Sequence, residues 1–390
     1  MSDDNDSVTE TTVQGWGSRL LGSLIGALVG FALFLGSFFL LYWNEGRAVD
    51  AIRALDDGAG TVAEAPADRV DPALQGRLVH VSGALAAGGA VRDPTFQVGQ
   101  DGLARLHRKV EMYQWKEHSE TATHKNLGGS ETKETTYKYE KVWSEAAIDS
   151  GAFKRKDGHL NPSMTVHSQT FDAPTVKLGT YRLDPKVVAK VSFFTPLAPD
   201  AGSGALPRDY RRDGELLYRG ASVETPAIGD LRVSFTAVVL QPVSVVAAQS
   251  GDMLAPFTGR NDHVINLVDA GSVPAAAMFR EAKHEEAIAT WILRAVGFVL
   301  MLIGLWLTSG PLSTLLGVLP LLEDIAEAGA FVIALLLAVP LTLLTIAIAW
   351  IVHRPVVGVA LLVGGVAAIF GLRRLLPTRA AAAAKPAQAR

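Results

Sequence analysis

The sequence predicts a membrane protein of the α+β class: four transmembrane helices, one plus three, with a large β-rich extracytoplasmic domain between the first and second. Three observations carry this. Leu20 to Trp43 is an uncharged apolar run of 24 residues, followed at once by Asn44-Glu45-Gly46-Arg47. At 1.5 Å per residue such a helix crosses roughly 30 Å of hydrocarbon, and Tyr42-Trp43 mark its interfacial edge. From Trp291 onward apolar runs dominate again, and between the two regions the hydrophobic period is mainly two rather than 3.6.

Composition narrows the function classes. Of 390 residues only 19% are charged, below the roughly 25% of soluble domains. The net charge of −3 gives no basic face for nucleic acid. Cysteine is absent, which removes disulfides, thiolate metal sites and a cysteine nucleophile.

In chain order, residues 1–18 are polar and acidic, with Asp3, Asp4, Asp6 and Glu10, and read as a disordered cytoplasmic tail. Residues 19–43 form the first transmembrane helix; the run is too long for a signal peptide and lacks a small-residue cleavage site. In 44–60, Val49, Ile52 and Leu55 recur every three residues among charges, the pattern of a juxtamembrane helix. Gly46 is expected to let the backbone turn there.

Residues 61–271 form the β-rich domain. Gly76 to Gly83 reads as a strand, and Arg108 to Glu117 with Thr132 to Trp143 as a hairpin that juxtaposes aromatic rows. Its connection, His118 to Glu131, is polar and expected to be mobile. Further strands are expected at Met164 to Phe171, Thr175 to Arg182, Asp230 to Leu240 and Val243 to Ala248, with a short helix at Asp184 to Val191. Gly76 to Ser82 echoes Gly229 to Phe235, which suggests two related β modules.

Ser272 and Pro274 open a second juxtamembrane helix, 272–290, leading into a transmembrane helix at 291–309. A cytoplasmic loop, 310–328, separates it from spans at 329–352 and 355–372, and a basic tail, 373–390, follows. That tail carries Arg373, Arg374, Arg379, Lys385 and Arg390 without an acid, so the positive-inside rule places it in the cytoplasm. Four spans then put the N-terminus there too and the β-rich domain outside.

Ordered motifs resemble one family over nearly the whole chain. They are Asn44-Glu45-Gly46-Arg47-Ala48, Gly76-Arg77-Leu78-Val79-His80, Val110-Glu111-Met112-Tyr113-Gln114-Trp115, Asn161-Pro162-Ser163, Gly229-Asp230-Leu231-Arg232-Val233-Ser234-Phe235, Thr290-Trp291 and Arg354-Pro355. The family is that of transmembrane protein 43, also called LUMA. The resemblance implies a multi-pass protein of the endoplasmic reticulum and inner nuclear membrane, its large domain in the lumen, acting as a self-associating scaffold linked to emerin and lamins. The tails depart from the animal pattern, and the Ala, Gly and Arg richness points instead to a bacterial member with a periplasmic domain.

No residue pattern calls for catalysis, a cofactor or a metal. The nine histidines lack ligand spacing, Ser163 lacks a nucleophile elbow, and Gly128-Gly129 lacks the lysine of a phosphate loop. The candidates are therefore family-motif residues: Asn44, Glu45, Gly46 and Arg47 at the membrane junction, Glu111, Tyr113 and Trp115 on the hairpin, and Arg354 between the last spans. Glu45 and Arg354 share a predicted depth and are expected to pair, with Arg294 an ordinary flanking cation. Gly22, Gly26 and Gly30 offer a small-residue face for packing within one chain or between copies. The expected activity is a non-enzymatic scaffold with lipid and protein partners, forming homo-oligomers and binding no nucleic acid. The alternative is a membrane-bound enzyme or lipid-handling protein with a site between domain and bilayer.

Overall fold

The computed structural model describes residues 6–199 and 206–356, with positions 360 and 363 beyond. It forms two compact units: a β-rich one, chiefly residues 51–286 with the segment up to Arg19 and residues 317–320, and a helical one of residues 20–50, 287–316 and from Leu321 onward.

Three long helices, α1 (Trp16–Thr61), α2 (Ala275–Thr308) and α3 (Pro320–His353), each contain a stretch long and apolar enough to cross a membrane. The expected fourth span, 355–372, falls almost entirely outside the described residues, as does the tail 373–390. α1 is one helix of 46 residues, so the juxtamembrane segment 44–60 is its continuation and Gly46 makes no turn. The Val49, Ile52, Leu55 stripe keeps the same helical phase, and one interior glycine costs only about 1 kcal/mol. Likewise, the loop expected at 310–328 is largely helical, with a short helix at Gly310–Leu316 and α3 beginning at Pro320.

In the helical unit Leu41, Met301 and Ala338 are buried among Phe34, Phe38, Phe298, Leu302, Leu305 and Leu341. α1 and α2 meet where Gly30 faces Gly304: a Cβ on Gly304 would lie 2.6 Å from the Phe34 nitrogen and 2.7 Å from the Gly30 oxygen. Small residues let the backbones touch there, as in membrane helix pairs generally. Gly22 and Gly26 have nothing within 4 Å, so of the three glycines only Gly30 packs inside the chain.

The β-rich unit holds two main sheets. The strands used below are β1 (Ser7–Gln14), β2 (Leu78–Gly88), β3 (Leu103–Lys125), β4 (Glu131–Ser144), β5 (Leu231–Val239) and β6 (Pro242–Ser250). The first sheet runs β1, β4, β3, β5, Leu216–Arg219, Arg211–Asp213, with Gln169–Asp172 also on β3 and Thr195–Leu197 also on β5. In the second, β2 and β6 pair directly and close a ring through Met253–Ala255, Tyr181–Leu183 and Thr175–Leu178.

Alternation fills the cores. Along β3, Leu106, Val110 and Met112 point inward against Leu217, Leu231, Val233 and Phe235. Val79, Val81, Leu178, Tyr181, Val243 and Val245 belong to the second core. A third cluster seats Leu55 of α1 and Met278 and Phe279 of α2 against Leu78, Val246 and Ile265. The glycine-led strands β2 and β5 lie in different sheets, each entered through a left-handed glycine, Gly76 at φ +74° and Gly229 at φ +94°.

Two departures from the sequence reading bear on function. The connection expected at His118 to Glu131 is mostly strand: β3 runs 23 residues to Lys125, and only Asn126 to Ser130 turn the chain. Thr121, Thr123, Thr132, Thr135 and Thr136 suit a pleated, half-exposed ribbon despite its polarity. The tail expected to be disordered contains β1, which pairs antiparallel with β4 from Ser7 opposite Lys138 to Gln14 opposite Glu131. Its acids mask the β-branched run Val8, Thr9, Thr11, Thr12, Val13.

Smaller differences are local. Only Gln169–Asp172 of Met164 to Phe171 forms a strand, Thr175 to Arg182 breaks into two strands at Gly179, and the short helix is Pro185–Val188.

Candidate functional site

The family-motif residues of the helical unit converge on one buried polar cluster. Glu45 of α1 is 2% exposed. Arg294 of α2 donates to both its oxygens, Nε to Oε1 at 2.6 Å and Nη2 to Oε2 at 2.8 Å. Trp350 of α3 donates its indole Nε1–H to Oε2 at 2.6 Å. The guanidinium lies 4.7 Å from the Trp291 ring centroid and 5.7 Å from that of Trp350. One carboxylate thus ties all three helices, through a bidentate fork on one side and an indole on another.

Its neighbours lock the register. Asn44 donates Nδ2–H to the Thr290 carbonyl at 3.1 Å, and Arg47 reaches the Thr290 hydroxyl at 3.5 Å. A Cβ on Gly46 would sit 2.9 Å from the His353 ring, which also lies against Tyr42 at 5.2 Å between centroids. Gly46 therefore makes room for α3 rather than bending α1.

The partner expected for Glu45 was Arg354; the structure gives Arg294 instead. Arg354 is half-buried just past the end of α3, and its amide donates to the Trp350 carbonyl at 2.7 Å. Equal sequence depth did not decide the pairing because helical phase does: Arg294 faces Glu45, and Trp350, one turn before Arg354, takes α3's place in the cluster. The available signal was that Arg294 is the single charge between Trp291 and Thr308.

Glu111, Tyr113 and Trp115 share the half-exposed face of β3, opposite buried Met112 and Gln114. They serve two groups. Glu111 accepts from Arg232 Nε at 2.8 Å, and Lys109 Nζ is 3.1 Å away. Arg232 lies over Trp143, whose ring meets Tyr113 at 5.2 Å. Burial alone would raise the Glu111 carboxyl, but hydrogen bonds and charge from Arg232 and Lys109 outweigh it and hold the group below the usual carboxylate range. A depressed carboxyl adds stability above its unfolded value, near 4.3, that is lost as pH falls through the folded value. Arg232→Met is therefore expected to lower the melting temperature at pH 7, with the gap to wild type narrowing below about pH 4; melts across pH check this.

Trp115 belongs to the second group, edge-on to His159 at 4.6 Å. Asn161 acts here as a strand surrogate: its Oδ1 accepts from Trp115 N at 2.7 Å and its Nδ2 donates to Trp115 O at 2.9 Å. The Asn-Pro-Ser motif thus pairs with β3, and Ser163 is exposed.

Glu64, His80 and Ser82 come nearest to a catalytic arrangement. His80 Nδ1 is 2.6 Å from Glu64 Oε2, and Nε2 is 3.3 Å from the Ser82 hydroxyl. Nε2 is also 3.0 Å from the Val273 carbonyl, which only an N–H can satisfy. That proton leaves Nε2 no lone pair for a serine, so the histidine joins β2 to the lead-in of α2 instead. Among the described residues no three His, Cys, Asp or Glu side chains are grouped closely enough to hold a metal.

The family model for Transmembrane protein 43 matches residues 112–355. The chain is 35% identical to Transmembrane protein 43 of Rattus norvegicus over 360 residues, covering 89% of each chain. It is 34% identical to the Homo sapiens protein over 374 residues, 93% of this chain and 92% of that one. A homolog from Drosophila melanogaster is 32% identical over 351 residues, 87% and 92% of the two chains. No solved structure matches.

Proposed function

Because this chain belongs to the transmembrane protein 43 family, we propose that it is a non-enzymatic multi-pass scaffold, organising protein complexes at a membrane through its β-rich domain and by self-association. The carrying observation is that the Glu45 carboxylate, the most buried charge of the helical unit's motif, is consumed by Arg294 and Trp350. A proton-transfer or transport group would face a cavity; this one holds helices together. Animal relatives favour the endoplasmic reticulum and nuclear envelope over the bacterial inner membrane that the composition suggests.

Crosslinking with mass spectrometry in native membranes tests this reading. Links joining the same lysine in two copies, such as Lys138 to Lys138, and recurrent links to other proteins are expected. A chain that crosslinks only to itself internally and migrates as a monomer on native gels would overturn it.

A lipid-handling role is the second reading, favoured by a cleft of about 360 Å³ in the β-rich unit. Leu55, Ala282, Lys186, Lys190, Glu285 and Glu286 line it, and the apolar Leu55 and Ala282 with the two lysines suit an acyl stem and a phosphate. A phospholipid copurifying at one per chain, and lost in Lys186→Ala/Lys190→Ala, would favour it over the scaffold.

A further inference from the structure

We propose that the outer edge of β4, Glu131–Lys138, is a binding site for extended peptide segments that carry two acidic residues four apart. In this chain its own residues 6–14 occupy it. The site shares no residue with the Glu45 cluster and does not depend on the scaffold reading.

The edge supplies a backbone ladder, and a loop beside it supplies the selectivity. Asp6 Oδ2 accepts from His159 Nε2 at 2.8 Å, and Asp6 Oδ1 from Arg155 Nη1 at 3.3 Å. Glu10 pairs with Lys154 at 2.6 Å. Residues four apart on a strand project from one face, so the two acids reach the same wall of cations.

That wall is built without help from β1. The Lys154 amide donates to Glu117 Oε2 at 2.6 Å, and the Arg155 amide to the Tyr139 oxygen at 2.8 Å. Tyr139 donates in turn to Glu117 at 2.7 Å. Its hydroxyl is pushed up to about 12 by burial and by Glu117, so it stays a neutral donor. The His159 ring is stacked 4.1 Å from Tyr139 and edge-on to Trp115. The receptor is therefore preformed.

The occupant, by contrast, is lightly held. No residue of β1 is buried, and Val13 is 71% exposed. Neither core includes any of them. Beyond the backbone ladder, its side chains contribute the Thr9–Thr136 hydroxyl contact and part-exposed ion pairs, the ion pairs each worth little. Main-chain pairing for affinity with alternate side chains for selectivity is the logic of strand addition.

The test uses the chain in detergent micelles with residues 2–14 deleted and a fluorescein-labelled peptide of residues 4–14. Anisotropy is expected to show saturable binding to the deleted chain, at least tenfold weaker binding to the intact chain, and at least fivefold loss with the Asp6→Asn/Glu10→Gln peptide. No binding to the deleted chain, or equal binding of the neutral peptide, overturns the proposal.

An arm independent of the deletion uses Thr9→Cys/Thr136→Cys in the full chain, which has no native cysteine. The two threonine hydroxyls lie 3.2 Å apart. Oxidation with copper phenanthroline in native membranes is expected to give an intrachain disulfide that excess peptide slows at least threefold. Absence of the disulfide, or a rate indifferent to peptide, contradicts the assignment.

Discussion

Glu45→Ala is expected to destabilise the helical unit by about 3–5 kcal/mol, the cost of leaving a buried charge without its partner. The alanine removes both acceptor oxygens at once, so Arg294 loses its fork and the Trp350 indole N–H loses its acceptor. Arg294→Lys is expected to recover little, because an ammonium cannot reproduce two parallel hydrogen bonds in this geometry. Arg354→Ala, remote from that carboxylate, should stay within about 0.5 kcal/mol of wild type. Thermal unfolding in detergent, followed by tryptophan fluorescence, separates the three. A Glu45→Ala melt no lower than that of Arg354→Ala would show that the cluster does not hold the helices.

Gly304→Leu should be at least as damaging, for a steric reason. The atoms that a Cβ would strike are the Phe34 nitrogen and the Gly30 oxygen, both backbone. No rotamer change relieves such a clash; α1 and α2 must separate, opening the packing around Leu41 and Met301. Overpacking usually costs about 1–3 kcal/mol where side chains can yield, and this site has no such outlet. Fluorescence-detected size exclusion should show loss of the monodisperse peak. Gly26→Leu, on an open face, should fold normally. Equal yields of the two variants would contradict the close crossing.

The apolar stretches of α1, α2 and α3 and the strand-rich interior are legible because each depends on local hydrophobic period. Leu20 to Trp43 declares itself by length alone, and Leu106, Val110 and Met112 by alternation. What sequence could not give was helical phase across three chain-distant segments. Glu45 lies 249 residues from Arg294 and 305 from Trp350 in sequence, and whether Arg294 or Arg354 meets Glu45 is fixed by helix packing, such as that at Gly304, rather than by depth. Gly46 misled for a related reason: its role is the space left for His353, a tertiary fact, and not its own backbone freedom.

The N-terminal strand is not legible in the sequence because the charge and composition of residues 1–18 outweigh their β-propensity. Asp6 and Glu10 look like solvated tail acids until Arg155, His159 and Lys154 are placed opposite them. The alternation of Tyr113 and Trp115 on one strand is legible in the sequence, but the division of Glu111, Tyr113 and Trp115 between Arg232 and His159 depends on pairing with β5 and on the loop beside β4.

The claim on which the rest stands is that one buried carboxylate clamps three helices. A double-mutant cycle on Glu45→Met and Arg294→Met tests it most directly. Each single change leaves an unpaired buried group and is expected to lower stability strongly, whereas removing both leaves an apolar contact of similar volume. The double variant should then be more stable than the summed singles predict by about 1–3 kcal/mol. Losses that add to within about 0.5 kcal/mol would mean that Glu45 and Arg294 are not coupled, and the clamp would have to be given up.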